Sequence, residues 1–335
     1  MKLGILVSSN TWEQSFKKAC EELKVEYTMI DIASSNWMDN LKKIDSTIDG
    51  YIATPPCSFQ EYKTIYDEKL FFIDQFFKKP IYPNFSSCYI YESKRNMAAF
   101  LDFYDIPHSK TSIFTKKEEA DKYLKEAKYP LVIKANIGAG GNAVDIVSSY
   151  CKAKKILRKT FGCYKGLFCT GKKPTLNKFG IPIKISGSGQ RHFMIIQDFH
   201  KIKWEWRILK IGNSYFGHQK LLKGDKASGS GLVGWVMPPQ EVLYMAKEIC
   251  DKGGFDVMDV DIFETVDGKF LVNELQAQFG SYLDYQMMVD NKPGRLVYSE
   301  DKGFVWEEGV FNRINSCLLK VENFVEILSK KSNRE

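Results

Sequence analysis

The stretch Val260-Asp-Ile-Phe-Glu-Thr-Val-Asp-Gly-Lys-Phe-Leu-Val-Asn-Glu-Leu-Gln276 decides the fold. It reads as two β-strands joined by a two-residue Asp267-Gly268 turn. Asp-Gly between apolar runs suits a type I′ turn, which needs φ > 0 at both central residues. With Val266 facing Lys269, that turn sets Asp261 opposite Glu274 and Asp259 opposite Gln276, with facing Cβ atoms roughly 5 Å apart. Like charges so placed destabilise a hairpin unless something cationic lies between them. Three carboxylates and an amide are hard oxygen ligands, suited to Mg²⁺ or Mn²⁺ and not to zinc. The plain alternative is a solvated acidic face. Against it, Phe263, Phe270 and Val272 are expected on the same face, and such residues belong near a core.

The chain around this hairpin is long enough for more than one lobe. It has 335 residues, 44% hydrophobic and 14% aromatic, ample for real cores. No apolar run approaches the roughly 18 residues of a membrane span. The N-terminal apolar run, Leu3–Val7, is too short for a signal peptide, so a cytoplasmic protein is expected. Eight cysteines are scattered without a CxxC pair, and four histidines show no metal spacing. Reduced thiols are expected, and a zinc site is not. The net charge of +7 comes in part from Lys152, Lys154, Lys155, Arg158, Lys159 and Lys165. That cluster reads as a solvated face or a positive mouth for a polyanion such as a nucleotide, rather than as a nucleic-acid stripe.

Residues 1–90 alternate strands (Leu3–Val7, Tyr27–Ile32, Tyr51–Ala53, Ile81-Tyr82) with helices (Gln14–Leu23, Gln60–Phe77), which implies a parallel sheet. No GxGxxG follows the first strand, which argues against a dinucleotide-binding unit. A helix over Glu92–Phe103, a strand at Thr111–Phe114, a helix over Lys117–Ala127 and strands at Leu131–Lys134 and Ala143–Val147 follow. Residues 160–192 read as a long loop. From Phe193 the pattern turns β-rich, with strands at Phe193–Gln197, Trp204–Ile211 and Tyr215–Leu222. A helix over Glu241–Cys250 precedes the quoted hairpin, and a last helix spans Val321–Ser329.

Several side chains along this path can carry chemistry. Lys134 ends an apolar strand, and Gly138-Ala-Gly140-Gly141-Asn142 follows. Such glycines let backbone N–H groups approach phosphate oxygens, and the lysine adds a point charge. Gly166–Lys173 nearly matches GxxxxGK[ST], but Lys173 stands where Mg²⁺ needs a hydroxyl, so it is read as a decoy. Gln197, Asp198 and Phe199 end a strand as a hinge whose backbone can pair with a purine edge. Glu205 can accept two ribose hydroxyls, and Arg207, on the same strand face, can reach a phosphate. The plain alternative there is an exposed Glu–Arg pair. Asp225–Gly231 is a second Gly/Ser-rich loop, able to present donors to a phosphate or to serve as a linker.

In this order the pieces resemble the ATP-grasp superfamily. Glu92-Ser-Lys94-Arg resembles the entry helix whose lysine contacts ATP. Leu131-Val-Ile-Lys134 with Gly138–Gly141 looks like the second lysine and its flap. Gln197-Asp198-Phe199 looks like the adenine hinge, and Glu205-Trp-Arg207 like the acid and arginine that take ribose and phosphate. Asp261 and Glu274 resemble the metal-bridging carboxylates. Two departures stand out: Gln276 replaces the usual asparagine, and Lys226 stands where an arginine is common. Ala227-Ser-Gly-Ser-Gly231 is similar to a subset linked to cell-surface polysaccharide and teichuronopeptide synthesis.

The resemblance implies an α/β protein with α+β lobes: a pre-ATP-grasp domain over 1–90, a small lobe over 91–195 and a large lobe over 196–335. It implies ATP held by Lys94, Lys134, Gly138, Gly140, Gly141, Gln197, Asp198, Phe199 and Glu205. Two Mg²⁺ ions, or Mn²⁺, would sit on Asp261, Glu274 and Gln276. Arg207, Lys220 and Lys226 would stabilise the transferred phosphoryl group. The implied reaction joins a small-molecule carboxylate (an amino acid or sugar acid) to an amine through an acyl phosphate, releasing ADP and phosphate. A small-molecule kinase or a degenerate nucleotide-binding protein on the same fold are the alternatives. Ser8, Ser9, Thr54 and Pro55 are candidates for the acceptor side. Oligomeric state is not legible.

Overall fold

The apolar run of β1 (Lys2–Val7) is buried on both faces, as a central parallel strand requires. It pairs in parallel with β2 (Glu26–Asp31) and β3 (Gly50–Ile52), and β4 (Ile81–Tyr82) completes the sheet in the order β2-β1-β3-β4. Helices α1 (Trp12–Leu23), α2 (Trp37–Ile44) and α3 (Gln60–Phe72) supply the crossovers that parallel strands need, and α4 (Phe85–Ile90) follows. The computed structural model describes residues 1–8, 12–57, 59–138, 144–162, 175–176, 182–183, 191–224, 226–227 and 232–332.

Next come α5 (Lys94–Phe103), β5 (Thr111–Phe114), α6 (Lys117–Glu126), β6 (Leu131–Lys134), β7 (Val144–Val147) and α7 (Tyr150–Phe161). The short β8 (Thr175–Leu176) and β9 (Pro182–Ile183) pair with each other, and β10 (Met194–Asp198) returns to give an antiparallel sheet β5-β10-β6-β7. Its core joins Ala120 and Leu124 of α6 to Ala153 and Leu157 of α7 over Leu131, Ile133, Val147, Met194 and Ile196. The basic cluster lies on α7, where burial of Ala153, Leu157 and Thr160 leaves Lys152, Lys155, Arg158 and Lys159 exposed. It is the solvated face of an amphipathic helix; Lys165 lies outside the described residues.

The third sheet is the largest. β11 (Ile202–Ile211) and β12 (Ser214–Lys220) form its centre, β13 (Leu222–Lys223) and β14 (Lys226–Ala227) pair apart from it, and β15 (Val233–Gly234) adds to β12. After α8 (Gln240–Gly253) come β16 (Val257–Thr265), β17 (Phe270–Gln276), β18 (Met288–Val289), β19 (Lys292–Ser299), β20 (Gly303–Glu308) and α9 (Cys317–Ser332). The order is β17-β16-β11-β12-β19-β18. One core runs from Leu3, Ile5 and Phe16 through Met97 and Leu101 of α5 to Ile208, Val260, Ile262 and α8, with α9 closing it. Tyr82 of β4 stacks on Phe324 of α9 at 5.0 Å and donates a hydrogen bond to Asn323 at 2.8 Å.

The hairpin departs from its expected turn. Thr265 pairs with Lys269 around a three-residue loop, Val266–Gly268, and only Gly268 takes positive φ, at 82°. This is a type I turn closed by a left-handed glycine, a geometry that tolerates Asp267 in its ordinary conformation. The register near the turn is therefore one residue off the expected one: Glu264 faces Phe270 and Ile262 faces Val272. A bulge at Asn273 then restores it, so Asp261 does face Glu274 and Asp259 does face Gln276. The correction moves Phe270 and Val272 to the opposite, core-packed face with Ile262, while Phe263 stays with the acids.

Candidate functional site

The site grows from one row of side chains. Across the third sheet Glu274 (β17), Asp261 (β16), Arg207 (β11) and His218 (β12) stand in register. One step along, Glu205 faces Lys220; one step the other way, Asp259 faces Gln276. The alternation of strand side chains puts all of them on one face.

The opposed carboxylates do not repel each other unaided, because each has its own cation. Arg207 donates through Nε and Nη2 to the two oxygens of Asp261 at 3.0 and 2.8 Å. Lys220 donates to Asp261 Oδ2 at 2.8 Å and pairs with Glu205. Asp261 is 0% exposed; burial pushes its pKa up, but Arg207 and Lys220 outweigh that and hold it well below the usual carboxylate range. Glu274 pairs with Lys94 at 3.3 Å and accepts a hydrogen bond from Gln276 Nε2 at 2.9 Å. There too burial opposes ionisation, and Lys94 wins. Asp259 is also fully buried, with Arg207 Nε 3.1 Å away, and burial pushes it well above the usual range.

The second sheet supplies the facing wall. Lys134, at the end of β6, donates to Asn273 Oδ1 at 3.1 Å, and Asn273 Nδ2 donates to Glu205 at 2.7 Å. Asn273 is the bulged residue, and the bulge is what brings its amide onto the ionic face. Burial, then repulsion from Lys94, pushes Lys134 down to about 8. Lys94 Nζ also lies 3.2 Å from the carbonyl of Gly138, whose N–H donates to Glu92 Oε2 at 3.0 Å. Asn136 ties the start of α5 to this strand end, accepting from the N–H groups of Lys94 at 3.2 Å and Arg95 at 2.9 Å. Glu92 at φ 50° and Gly138 at φ 154° meet here, two uncommon backbone conformations at the root of the glycine loop.

Of the residues singled out in the sequence, Lys94, Lys134, Gly138, Glu205, Arg207, Lys220, Asp261, Glu274 and Gln276 come together. The hinge does not join their ion network. Gln197 turns its amide to Thr111 Oγ1 at 2.9 Å, and its strand is paired on both sides. Asp198 and Phe199 line a cavity of about 500 Å³ with Tyr123, Lys128, Leu131 and His200. Ser8 and Thr54 bond to each other and to Leu6, Glu13 and Tyr66. Gly140, Gly141, Ser9, the side chain of Lys226, the near-match at 166–173 and the loop 228–231 lie outside the described residues. Sequence reasoning missed Glu92, Asn136, His218 and Asn273. Asn273 stood beside Glu274 in the quoted stretch, but only a bulge gives both the same face.

Among the described residues, no three His, Cys, Asp or Glu side chains converge with metal-ligand spacing. Asp261, Glu274 and Gln276 still present two carboxylates and an amide oxygen on neighbouring strands, a hard donor set that fits Mg²⁺. The two carboxylates are at present paired with cations, the very groups that phosphate oxygens would attract, while Gln276 donates to Glu274.

This arrangement, a lysine on a small antiparallel sheet facing an acid-lined larger one, is that of the ATP-grasp fold, and the chain has that fold. Residues 92–171 match the family described as phosphoribosylglycinamide synthetase, ATP-grasp (A) domain. Among curated proteins, the phosphoribosylamine–glycine ligase of Caldanaerobacter subterraneus subsp. tengcongensis is 44% identical over 54 residues, which span 16% of this chain and only 13% of that enzyme. D-alanine–D-alanine ligase from Bacillus anthracis superposes with a TM-score of 0.57 at 16% identity, covering 99% of both chains. N5-carboxyaminoimidazole synthetase from Staphylococcus aureus, complexed with ADP, gives 0.58 at 11% identity, covering 89% of this chain and 82% of that one. A RimK domain ATP-grasp protein from Sphaerobacter thermophilus gives 0.53 at 14%, covering 82% and 90%. Among the described residues, no helix is long and apolar enough to cross a membrane.

Proposed function

We propose that the protein is an ATP-dependent ligase that joins a small-molecule carboxylate to an amine, forming an amide and releasing ADP and phosphate. The observation that carries this reading is the interlocked ionic face. Three cations (Lys94, Arg207, Lys220) pair with Glu205, Asp261 and Glu274, and a fourth, Lys134, reaches the same face through Asn273. Charges buried in pairs are costly to strand and ready to exchange partners. ATP phosphates would draw Lys94 and Lys134 off Glu274 and Asn273. Glu205, relieved of Asn273 and Lys220, would accept the ribose hydroxyls.

Asp261, Glu274 and Gln276 would then hold Mg²⁺, which supplies charge neutralisation at the transferring phosphoryl group. Arg207 and Lys220, released from Asp261, would stabilise charge on that group and on the acyl phosphate formed by the attacking carboxylate. The glycine loop rooted at Gly138 would cover the phosphates. Gln197–Phe199 would flank the adenine, and Lys226 would act from the neighbouring loop. Residues 1–90 would serve as the pre-ATP-grasp domain, 91–195 as the small lobe and 196–335 as the large lobe. The 227–231 segment supports sugar acids, of the kind used in cell-surface polysaccharides, as first choices for the carboxylate.

The test is a coupled ADP assay over amino acids and sugar acids, with and without an amine. ADP release that needs both substrates, with stoichiometric phosphate, is the expected result. ADP release without phosphate would mean a kinase. No rise in melting temperature on adding Mg²⁺–ATP would remove the nucleotide site altogether; at a hundredfold excess over Kd, about 2.7 kcal/mol of stabilisation is expected.

A further inference from the structure

His218 has a chemistry that the nucleotide site does not use. It stands in register with Arg207 on the ionic face of the third sheet, and its ring is buried. Nδ1 lies 2.8 Å from the backbone carbonyl oxygen of Gln286. A carbonyl oxygen only accepts, so Nδ1 holds the proton and donates, and Nε2 keeps the lone pair. Among the described residues Nε2 has no protein partner, and it is not one of the enclosed polar atoms. Burial, then Arg207 and Lys220, push the ring down to about 4, so it is neutral at physiological pH.

Beside it stands an aromatic corner. Trp235 lies 5.3 Å from the imidazole, centroid to centroid, and Tyr285 packs edge-on against Trp235 at 5.3 Å. Both rings are half-buried. Aromatic faces and a free lone pair are the complement of an N–H group or a small ammonium.

We infer that His218 Nε2 accepts a hydrogen bond from the attacking amine, with Trp235 and Tyr285 walling the position that the amine occupies. The inference rests on the amide-forming reading above. In that step the amine nitrogen forms a C–N bond to the acyl-phosphate carbon. The C–O bond to phosphate breaks, and phosphate leaves with its electron pair. The amine proton passes to Nε2. An imidazolium between Arg207 and Lys220 is disfavoured, so the proton is handed on to the departing phosphate.

Two measurements on the full chain test this. Nitrogen-15 NMR of histidine-labelled protein at pH 7, with His218 assigned through His218→Asn, should show a protonated Nδ1 and a bare Nε2 that shifts on adding methylamine. A protonated Nε2, or no response to methylamine, overturns the inference. The second measurement compares glycine with hydroxylamine, a strong nucleophile that needs no base, as the amine in the carboxylate-dependent assay. His218→Asn keeps a donor for Gln286 but lacks the lone pair, and should lower the glycine-to-hydroxylamine rate ratio about 100-fold. His218→Gln, which returns an acceptor near Nε2, should recover part of it. An unchanged ratio overturns the inference. If wild-type protein forms neither amide nor hydroxamate with any acid, the ligase reading fails, and the NMR result still decides whether His218 binds an amine.

Discussion

The two faces of the eight-stranded sheet are built by alternate residues of the same strands, yet they follow different physics. On one face Trp206, Ile208, Val260 and Ile262 pack in the core that includes α8. Each such side chain contributes roughly 1.5–3 kcal/mol by leaving water, and any apolar residue of similar volume serves. On the other face Glu205, Arg207 and Asp261 are neutralised by specific partners, with the buried Asp259 beside Arg207. An ion network of this kind adds little net stability, but removing one member strands another. The apolar face holds the sheet together, and the ionic face is exchangeable.

That contrast breaks first at its most connected member. Arg207→Ala leaves Asp261 and Asp259 buried without their guanidinium and should lower stability by about 3–5 kcal/mol in urea unfolding. A loss below 1 kcal/mol would mean that the network is not buried in solution. Glu274→Gln should do the reverse. It keeps shape and its bond to Gln276, so the fold survives, while ATP turnover in the coupled assay falls about 100-fold or more, roughly 2.7 kcal/mol of barrier. Near-wild-type turnover would remove Glu274 from the reaction.

A pH dependence sharpens the contrast further. Lys134 is charged below about 8 and neutral above it. Nucleotide affinity that uses this charge is complete below that pH and should fall above it, by up to about tenfold per pH unit, with the slope absent in Lys134→Met. For stability the sign is opposite. The folded pKa lies below the unfolded value of about 10.4, so the unfolded chain binds more protons in that window, and this residue's contribution rises from pH 8 to 10.4. The smallest effect belongs to the turn. Gly268→Ala forces a Cβ into left-handed backbone and should cost about 1–2 kcal/mol with ATP turnover unaltered, read by thermal unfolding and the same assay.

The acid pair was legible in the sequence, though not for the reason its residues suggested. The Asp267-Gly268 dipeptide implied a two-residue turn. The real loop has three residues, and the bulge at Asn273 restores the register that the turn displaces. Alternation and turn chemistry are local signals, whereas a bulge depends on what its side chain finds across the site, here Lys134 and Glu205. The first parallel strand, β1, was readable because a doubly buried strand is a continuous apolar run. β18, β19 and β20 were missed. β20 in particular is half polar at a sheet edge, so neither alternation nor an apolar run marks it. His218 was passed over because a lone histidine between Gly217 and Gln219 has no spacing to announce it. Its meaning comes from the Gln286 carbonyl, far along the chain.

The division of the cores has a mechanical consequence. The first and third sheets share one continuous apolar core, clamped by α9, while the second sheet has a core of its own. The named links between the second sheet's Lys134, or the Lys94 that anchors its glycine loop, and the third sheet are polar: Lys134 to Asn273, and Lys94 to Glu274. A cleft with that wiring would part, as a jaw from a fixed skull, at its polar seam before its apolar core. The latch that would let go is made of the same lysines that would close on a phosphate.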